Sequence, residues 1–256
     1  MFVKKIFLFS LVALILTACT ANSFAADGMV LKYKANTETS NIYKMTMNGV
    51  TTIYLGEQTQ VTQIENEMFL KQQAVAFDNE AKVISYETKV ASGQMKINGV
   101  DSPLPMMGQI ISTQMIDNGK FINEKNAQAK QLNGAQLVFP DGPVNVGSKW
   151  SHTMEPNAQM PVPTIIEFKI LGKEKYKGAD CIKIGMTMTS DNSKEVKGLE
   201  MNLSAKGIIR FDHNKGILLS NHVNSNTRMK IERVIGGKQS SITTRMEMKI
   251  RMDLQV

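Results

Sequence analysis

Residues 245–254, RMEMKIRMDL, alternate without a break. Met246, Met248, Ile250, Met252 and Leu254 share one parity; Arg245, Glu247, Lys249, Arg251 and Asp253 share the other. Successive side chains of a β-strand point to opposite faces, so the pattern predicts a strand with one face buried and one in water. MVLKYKA (29–35), NIYKMTMN (41–48), VTTIYLG (50–56) and KVISYETKV (82–90) also read as extended. FDNEAK (77–82) and IDNGKF (116–121) supply the Asp, Asn and Gly that turns require. Only SPLPMMGQIISTQM (102–115) leaves room for a short helix, after Pro105. The polar, unpatterned NEKNAQAKQLNG (123–134) reads as a linker.

A new unit opens at FPDGPVNVGSKW (139–150), whose prolines and glycines forbid a regular element before Trp150 starts a strand. Apolar-alternating stretches follow at 164–189, 201–234 and 241–254. The predicted fold is all-β, with antiparallel sheets forming a sandwich or an open barrel-like scaffold. Its halves are 26–122 and 139–256, joined by a linker at 123–138. GQIISTQMIDNGKFIN (108–123) and KGIIRFDHNKGILLSN (206–221) share a plan of strand, Asp-containing turn and strand, a hint of duplicated architecture. With Gly236 and Gly237 at the centre of a two-residue turn, the last hairpin sets Met229 opposite Thr244, Thr227 opposite Met246 and Val223 opposite Ile250. These apolar positions then fall on one face. The other face pairs Arg228 with Arg245 and His222 with Arg251, and its cations Arg228, Lys230, Arg245, Lys249 and Arg251 form a basic outer surface.

The N-terminus precedes the fold. Lys4 and Lys5 are followed by IFLFSLVALILTA (6–18), an uncharged run of signal-peptide length and short for a membrane span, which takes about 20 residues. Two processing sites compete. LTAC (16–19) resembles the bacterial lipobox, with cleavage after residue 18 and a diacylglyceryl group on Cys19; SFA (23–25) resembles an ordinary small-x-small site, with cleavage after residue 25. The lipobox is favoured because Cys19 directly ends the apolar run and only one other cysteine exists. Either site exports the mature chain to an oxidising compartment, and the lipobox places it in the bacterial envelope, facing the periplasm or held in the outer membrane. Cys181 then has no partner and reads as a small buried hydrophobe. The formal net charge of +7 is uneven. Residues 20–138 carry 10 basic and 11 acidic groups, and 139–256 carry 18 and 12. Export argues against nucleic acid as a partner and leaves an anionic lipid surface, an acidic polymer or simple solubility as the use of the excess.

FPDGPVNVGSKW, FKILGKEKYKGADCIKI and GIIRFDHNKGILLS together resemble a broad class of secreted bacterial β-proteins over residues 139–221. That class has a Pro-x-x-x-Val-x-x-Gly-x-x-Trp opening, a Gly-x-x-Cys hairpin and a strand–Asp-x-x-x-Gly–strand hairpin. These are turn and strand-edge residues, so the resemblance implies fold geometry and brings no active site. More loosely, an exported all-β chain with a flexible apolar face is similar to Lol-type lipid-handling lipoproteins.

Catalytic signatures are absent. The chain has no Gly-x-Ser-x-Gly, Walker loop, His-Glu-x-x-His or Cys-x-x-Cys, and its three histidines are scattered at 152, 213 and 222. No cofactor, metal site or enzymatic role is expected. The unusual feature is methionine, 18 residues against an aromatic share of 6%. Three uses compete: plain core, the lining of a cavity for apolar ligands, and a thioether site for Cu(I). Successive Met-x-Met sulfurs on one strand sit about 7 Å apart, too far to chelate one ion. A core face bordering a ligand cavity fits best, with Met229, Met246, Met248 and Met252 as its lining. The expected protein is thus a non-enzymatic envelope lipoprotein, anchored to a membrane by lipid, that binds an apolar or amphiphilic ligand such as a lipid. The alternative is a structural or protein-interaction module without a small ligand.

Lipidation is checked by intact mass. Protein extracted from membranes should begin with a diacylglyceryl-modified Cys19, whereas a soluble product beginning at Ala26 or Asp27 would establish ordinary cleavage instead.

Overall fold

The two-residue period is realised throughout: every regular element among the described residues is a β-strand. The computed structural model describes residues 28–122, 137–156, 160–191, 197–235 and 238–255. The strands are β1 Ser40–Leu55, β2 Gln58–Asp78, β3 Val83–Ile97, β4 Val100–Ser102, β5 Ile110–Ile116 and β6 Phe121–Ile122. The second half of the chain gives β7 Lys149–Met154, β8 Thr164–Tyr176, β9 Ala179–Ser190, β10 Leu199–Asp212, β11 Ile217–Ile235 and β12 Lys238–Gln255. They form one antiparallel sheet in the order β6-β5-β3-β2-β1-β12-β11-β10-β9-β8-β7, with β4 added beside β3. The two halves meet through β1 and β12, which pair from Ile42–Gln255 to Leu55–Ile242. The sheet is open, with β6 and β7 at its edges.

The sheet curls strongly. Phe121 on β6 and Met188 on β9 line one cavity, although eight strand steps separate them. A flat sheet would hold them about 38 Å apart. Bulges between Phe69 and Leu70, Ala74 and Ala76, Ile170 and Gly172, and Arg210 and Phe211 supply local bending, because an extra residue on one strand kinks it and raises its twist.

One flank of the concave face is packed solid. Ile166, Phe168 and Ile170 of β8, Ile182, Ile184 and Met186 of β9, and Ile209 and Phe211 of β10 are all essentially inaccessible. Leu31, Leu137, Phe139 and Val144 lie over them from the irregular segments. The other flank holds two smaller clusters, one of Ala74, Ile84, Tyr86 and Met115 and one of Tyr43, Met68, Leu70 and Val90.

Residues 28–35 are extended as expected but join no strand ladder; they form a strap across the concave side. Met29 exchanges two backbone hydrogen bonds with Val144, Tyr33 N donates to Asp117 O at 2.7 Å, and Lys34 N donates to Gly216 O at 3.2 Å. Lys32 Nζ also reaches Asp117 Oδ2 at 2.7 Å. The strap therefore touches the β5–β6 turn on one side and the β10–β11 turn on the other. Tyr33 packs against clusters on both flanks and meets Phe139 and Phe211 at ring distances of 5.4 and 5.2 Å.

The β11–β12 register is the one the alternation predicts: Met229–Thr244, Thr227–Met246, Val223–Ile250, Arg228–Arg245 and His222–Arg251 stand opposite each other. Its turn residues, 236 and 237, lie outside the described residues, as do Cys19 and most of the expected linker. One expectation needs correction. No helix follows Pro105, because Met106 and Gly108 take positive φ (60° and 74°) and break any helical run before β5. The segments 41–48 and 50–56 are one strand, β1, continuous through Gly49.

Gly216 is the tightest point of the strap. Its φ is +67°, and a Cβ there would lie 2.5 Å from the Lys34 backbone nitrogen. Gly216→Ala should cost about 1–3 kcal/mol in denaturant unfolding. Gly142→Ala, with open space around it and no positive φ, should stay within about 0.5 kcal/mol.

Candidate functional site

Among the described residues the middle of the concave face is not filled. Between the packed flanks lies a cavity of about 440 Å³, within the range of about 300–1,000 Å³ usual for small-molecule sites. Its wall follows from strand parity. Met246, Met248, Ile250 and Met252 of β12 face it, beside Met45 of β1 and Val223, Ser225 and Thr227 of β11. All eight are inner-face positions, and all but Val223 are only half-buried. Gly49, opposite Met248, helps make the space: a Cβ there would touch the Met248 Cγ at 3.4 Å.

The structure thus brings together three of the four methionines expected to line a site, Met246, Met248 and Met252. Met229 shares their face but lies further toward the turn, between Thr244 and Met201, and is not part of the wall. Met186 and Met201 are buried core. The thioethers therefore divide between packing and lining.

Sequence reasoning missed the polar part of the wall. Tyr33, Tyr43 and Tyr86 contribute phenols, and Asn41, Gln72 and Thr88 form one row across β1, β2 and β3. Tyr43 could have been read from its parity with Met45; Tyr33 could not, since its strap runs outside any ladder. Burial pushes the Tyr86 hydroxyl up to about 12 and raises Tyr33 and Tyr43 further, with the Tyr86 phenolate adding to the shift of both and the Tyr43 phenolate to that of Tyr33. Asn221 sits on the wall between Met252 and Ile209, and its Oδ1 is buried without a partner.

The opposite, convex face carries the charges. Arg228, Arg245, Lys249 and Arg251 are exposed there, while Lys230 is half-buried and bonds Glu232 at 2.7 Å. Glu247 and Asp253 alternate with these cations along β12, so the face is mixed in sign. On the same side the β8–β9 hairpin tip bends back onto β12. Tyr176 donates to Asp253 Oδ1 at 2.6 Å, and His222 Nε2 lies 3.1 Å from the same carboxylate. Arg210 and Lys183 hold Glu174 at 2.6 and 3.3 Å. Desolvation pushes Glu174 up, but those two hydrogen bonds outweigh it and hold the carboxyl below its ordinary range. The network is structural: it pins a hairpin and borders no cavity wall.

Cys181 is buried beside this network, its Sγ–H donating to Glu174 O at 3.4 Å. Desolvation, then the Glu174 charge, pushes the thiol up and away from nucleophilic use. His152 stacks on Phe168 at 5.8 Å, and its burial lowers its pKa. Among the described residues no three His, Cys, Asp or Glu side chains are placed to hold a metal ion.

No protein-family model matches the chain, and no curated protein matches it in sequence. Among solved structures it is similar to lipovitellin, from work on its lipid–protein interactions, at 10% identity and a TM-score of 0.48. That overlap covers 86% of this chain and 26% of lipovitellin, so the chain spans about a quarter of that protein's length. A DUF1329 family protein from Desulfovibrio piger overlaps 86% of this chain and 88% of its own, at 9% identity and a TM-score of 0.16. Neither overlap reaches the similarity at which a shared fold or ligand would follow.

The buried phenols give a test by titration. A raised phenol favours the folded state below the unfolded pKa, near 10, and that stability is lost as pH rises through the folded value. Of the five tyrosines, Tyr86 should ionise only near pH 12, and Tyr33 and Tyr43 only as the protein unfolds. Absorbance at the phenolate band that shows Tyr33, Tyr43 and Tyr86 ionising near 10 in the folded protein would contradict the enclosed wall.

Proposed function

We propose that the protein is an exported, non-enzymatic envelope lipoprotein, anchored through Cys19, that binds an apolar or amphiphilic ligand on the concave face of its sheet. The observation that carries this reading is the half-buried wall of Met246, Met248 and Met252 around an open cavity. A side chain filled for stability alone would be packed to interior density, gaining about 1.5–3 kcal/mol on full burial. These methionines forgo part of that gain. An unbranched, polarisable thioether adapts to ligands of variable shape, which suits a wall that must repack around a chain.

The competing reading, a protein-interaction module, draws on exposed apolar residues near the β1–β2 and β3–β4 turns, among them Leu55, Val61 and Val100. Those positions lie outside the cavity wall.

Native mass spectrometry of protein purified without detergent separates the two. Retained lipid, reduced at least about tenfold by Met248→Glu in a protein that still folds, supports the binder, because an unpaired carboxylate in the wall would have to be desolvated or neutralised. Retention unchanged by Met248→Glu, or no ligand at any lipid concentration, would favour the interaction module.

A further inference from the structure

Among the described residues the cavity wall is built without charge. Every lysine, arginine, aspartate, glutamate and histidine of the described residues lies elsewhere, and the only ionisable side chains on the wall are tyrosines. The polar groups that do face it are amides and hydroxyls. Asn41, Gln72 and Thr88 stand in a row on one side; Asn221, Ser225 and Thr227 of β11 face it on the other, Asn221 flanked by Met252 and Ile209. Such a wall can hydrogen-bond a polar atom but offers no cation to neutralise an anion. A carboxylate or phosphate brought inside would lose its hydration without a counter-charge, and an acid would bind protonated instead.

Asn221 adds a positive requirement. A buried polar atom between apolar neighbours such as Met252 and Ile209 is costly unless something bonds it, and the Asn221 Oδ1 is buried with no partner. The amide torsion is soft, and either its donor or its acceptor can be turned toward the cavity. A neutral hydroxyl, which both donates and accepts, fits either orientation.

We infer that the cavity selects an uncharged lipid, of the fatty alcohol or acylglycerol class, seating a neutral hydroxyl against Asn221 and excluding ionised headgroups. This rests on the apolar-ligand reading above and narrows it. The inner wall sets the selection; the cations of the convex face take no part in it.

Displacement of the neutral fluorophore N-phenyl-naphthylamine from the full mature chain tests this with three probes of equal chain length: dodecane, dodecanol and dodecanoate. At pH 8 dodecanol should bind at least about tenfold more tightly than dodecanoate. The dodecanoate affinity should rise as pH falls toward its own pKa, while that of dodecanol stays constant. Asn221→Leu, which preserves the size of the side chain, should weaken dodecanol about five- to tenfold and leave dodecane unchanged. Equal binding of dodecanol and dodecanoate at pH 8 would overturn the selection while leaving an apolar binder in place. So would an Asn221→Leu protein that folds and retains full dodecanol preference. Failure of all three probes to bind would overturn the apolar-ligand reading itself.

Discussion

The ladder between β1 and β12, from Ile42–Gln255 to Leu55–Ile242, joins the beginning of the sheet-forming chain to its end. Without it there would be two antiparallel meanders, each able to pack its apolar face against something of its own. With it there is one sheet, eleven strands along its path, whose single apolar face must be covered across its full width. Curling brings the flanks toward each other, and irregular chain covers them: Leu31, Leu137, Phe139 and Val144 over the β8–β10 side, and Tyr33 against both. That covering does not fill the centre. The β1–β12 junction is where the wall is half-exposed, so the element that unifies the fold also builds the cavity.

Composition suits this arrangement. Isoleucines and phenylalanines with restricted rotamers dominate the solid flank, where Ile166, Ile170, Ile182, Ile184 and Phe168 are inaccessible. Methionines take the centre, where no fixed shape has to be matched. The two faces of β12 divide the labour along one strand, with thioethers inward and Arg245, Glu247, Lys249 and Arg251 outward. On the outer side Asp253 is held by Tyr176 and His222, and Glu174 by Arg210 and Lys183, so polar groups brace the curled sheet from behind.

Much of this was legible in the sequence because a period of two is a local signal. Alternation predicted the strands, fixed the β11–β12 register pair by pair and put Met246, Met248 and Met252 on one face. What it could not show is non-local. Nothing in residues 40–55 announces that they pair with 242–255, since antiparallel partners separated by most of the chain leave no turn between them to read. The strap at 29–35 alternates like a strand yet spends its backbone donors on three separate segments, at Val144, Asp117 and Gly216. The expected helix after Pro105 failed on the backbone of Met106, a conformation that composition does not encode. Asn221 was visible only as one polar residue in a strand; its meaning depends on Met252 and Ile209 beside it.

The central claim is that the half-buried methionines are the compliant wall of an open cavity and differ from those in the core. Methionine-methyl NMR reads this directly, using methyls assigned by single Met→Leu substitutions. The account predicts that Met246, Met248 and Met252 show rotamer averaging in the free protein. They should shift and sharpen when a saturating neutral alkyl probe is added, while Met186 and Met201 stay rigid and unmoved. Methyls of Met246 and Met248 as ordered as that of Met186, and indifferent to the probe, would contradict it.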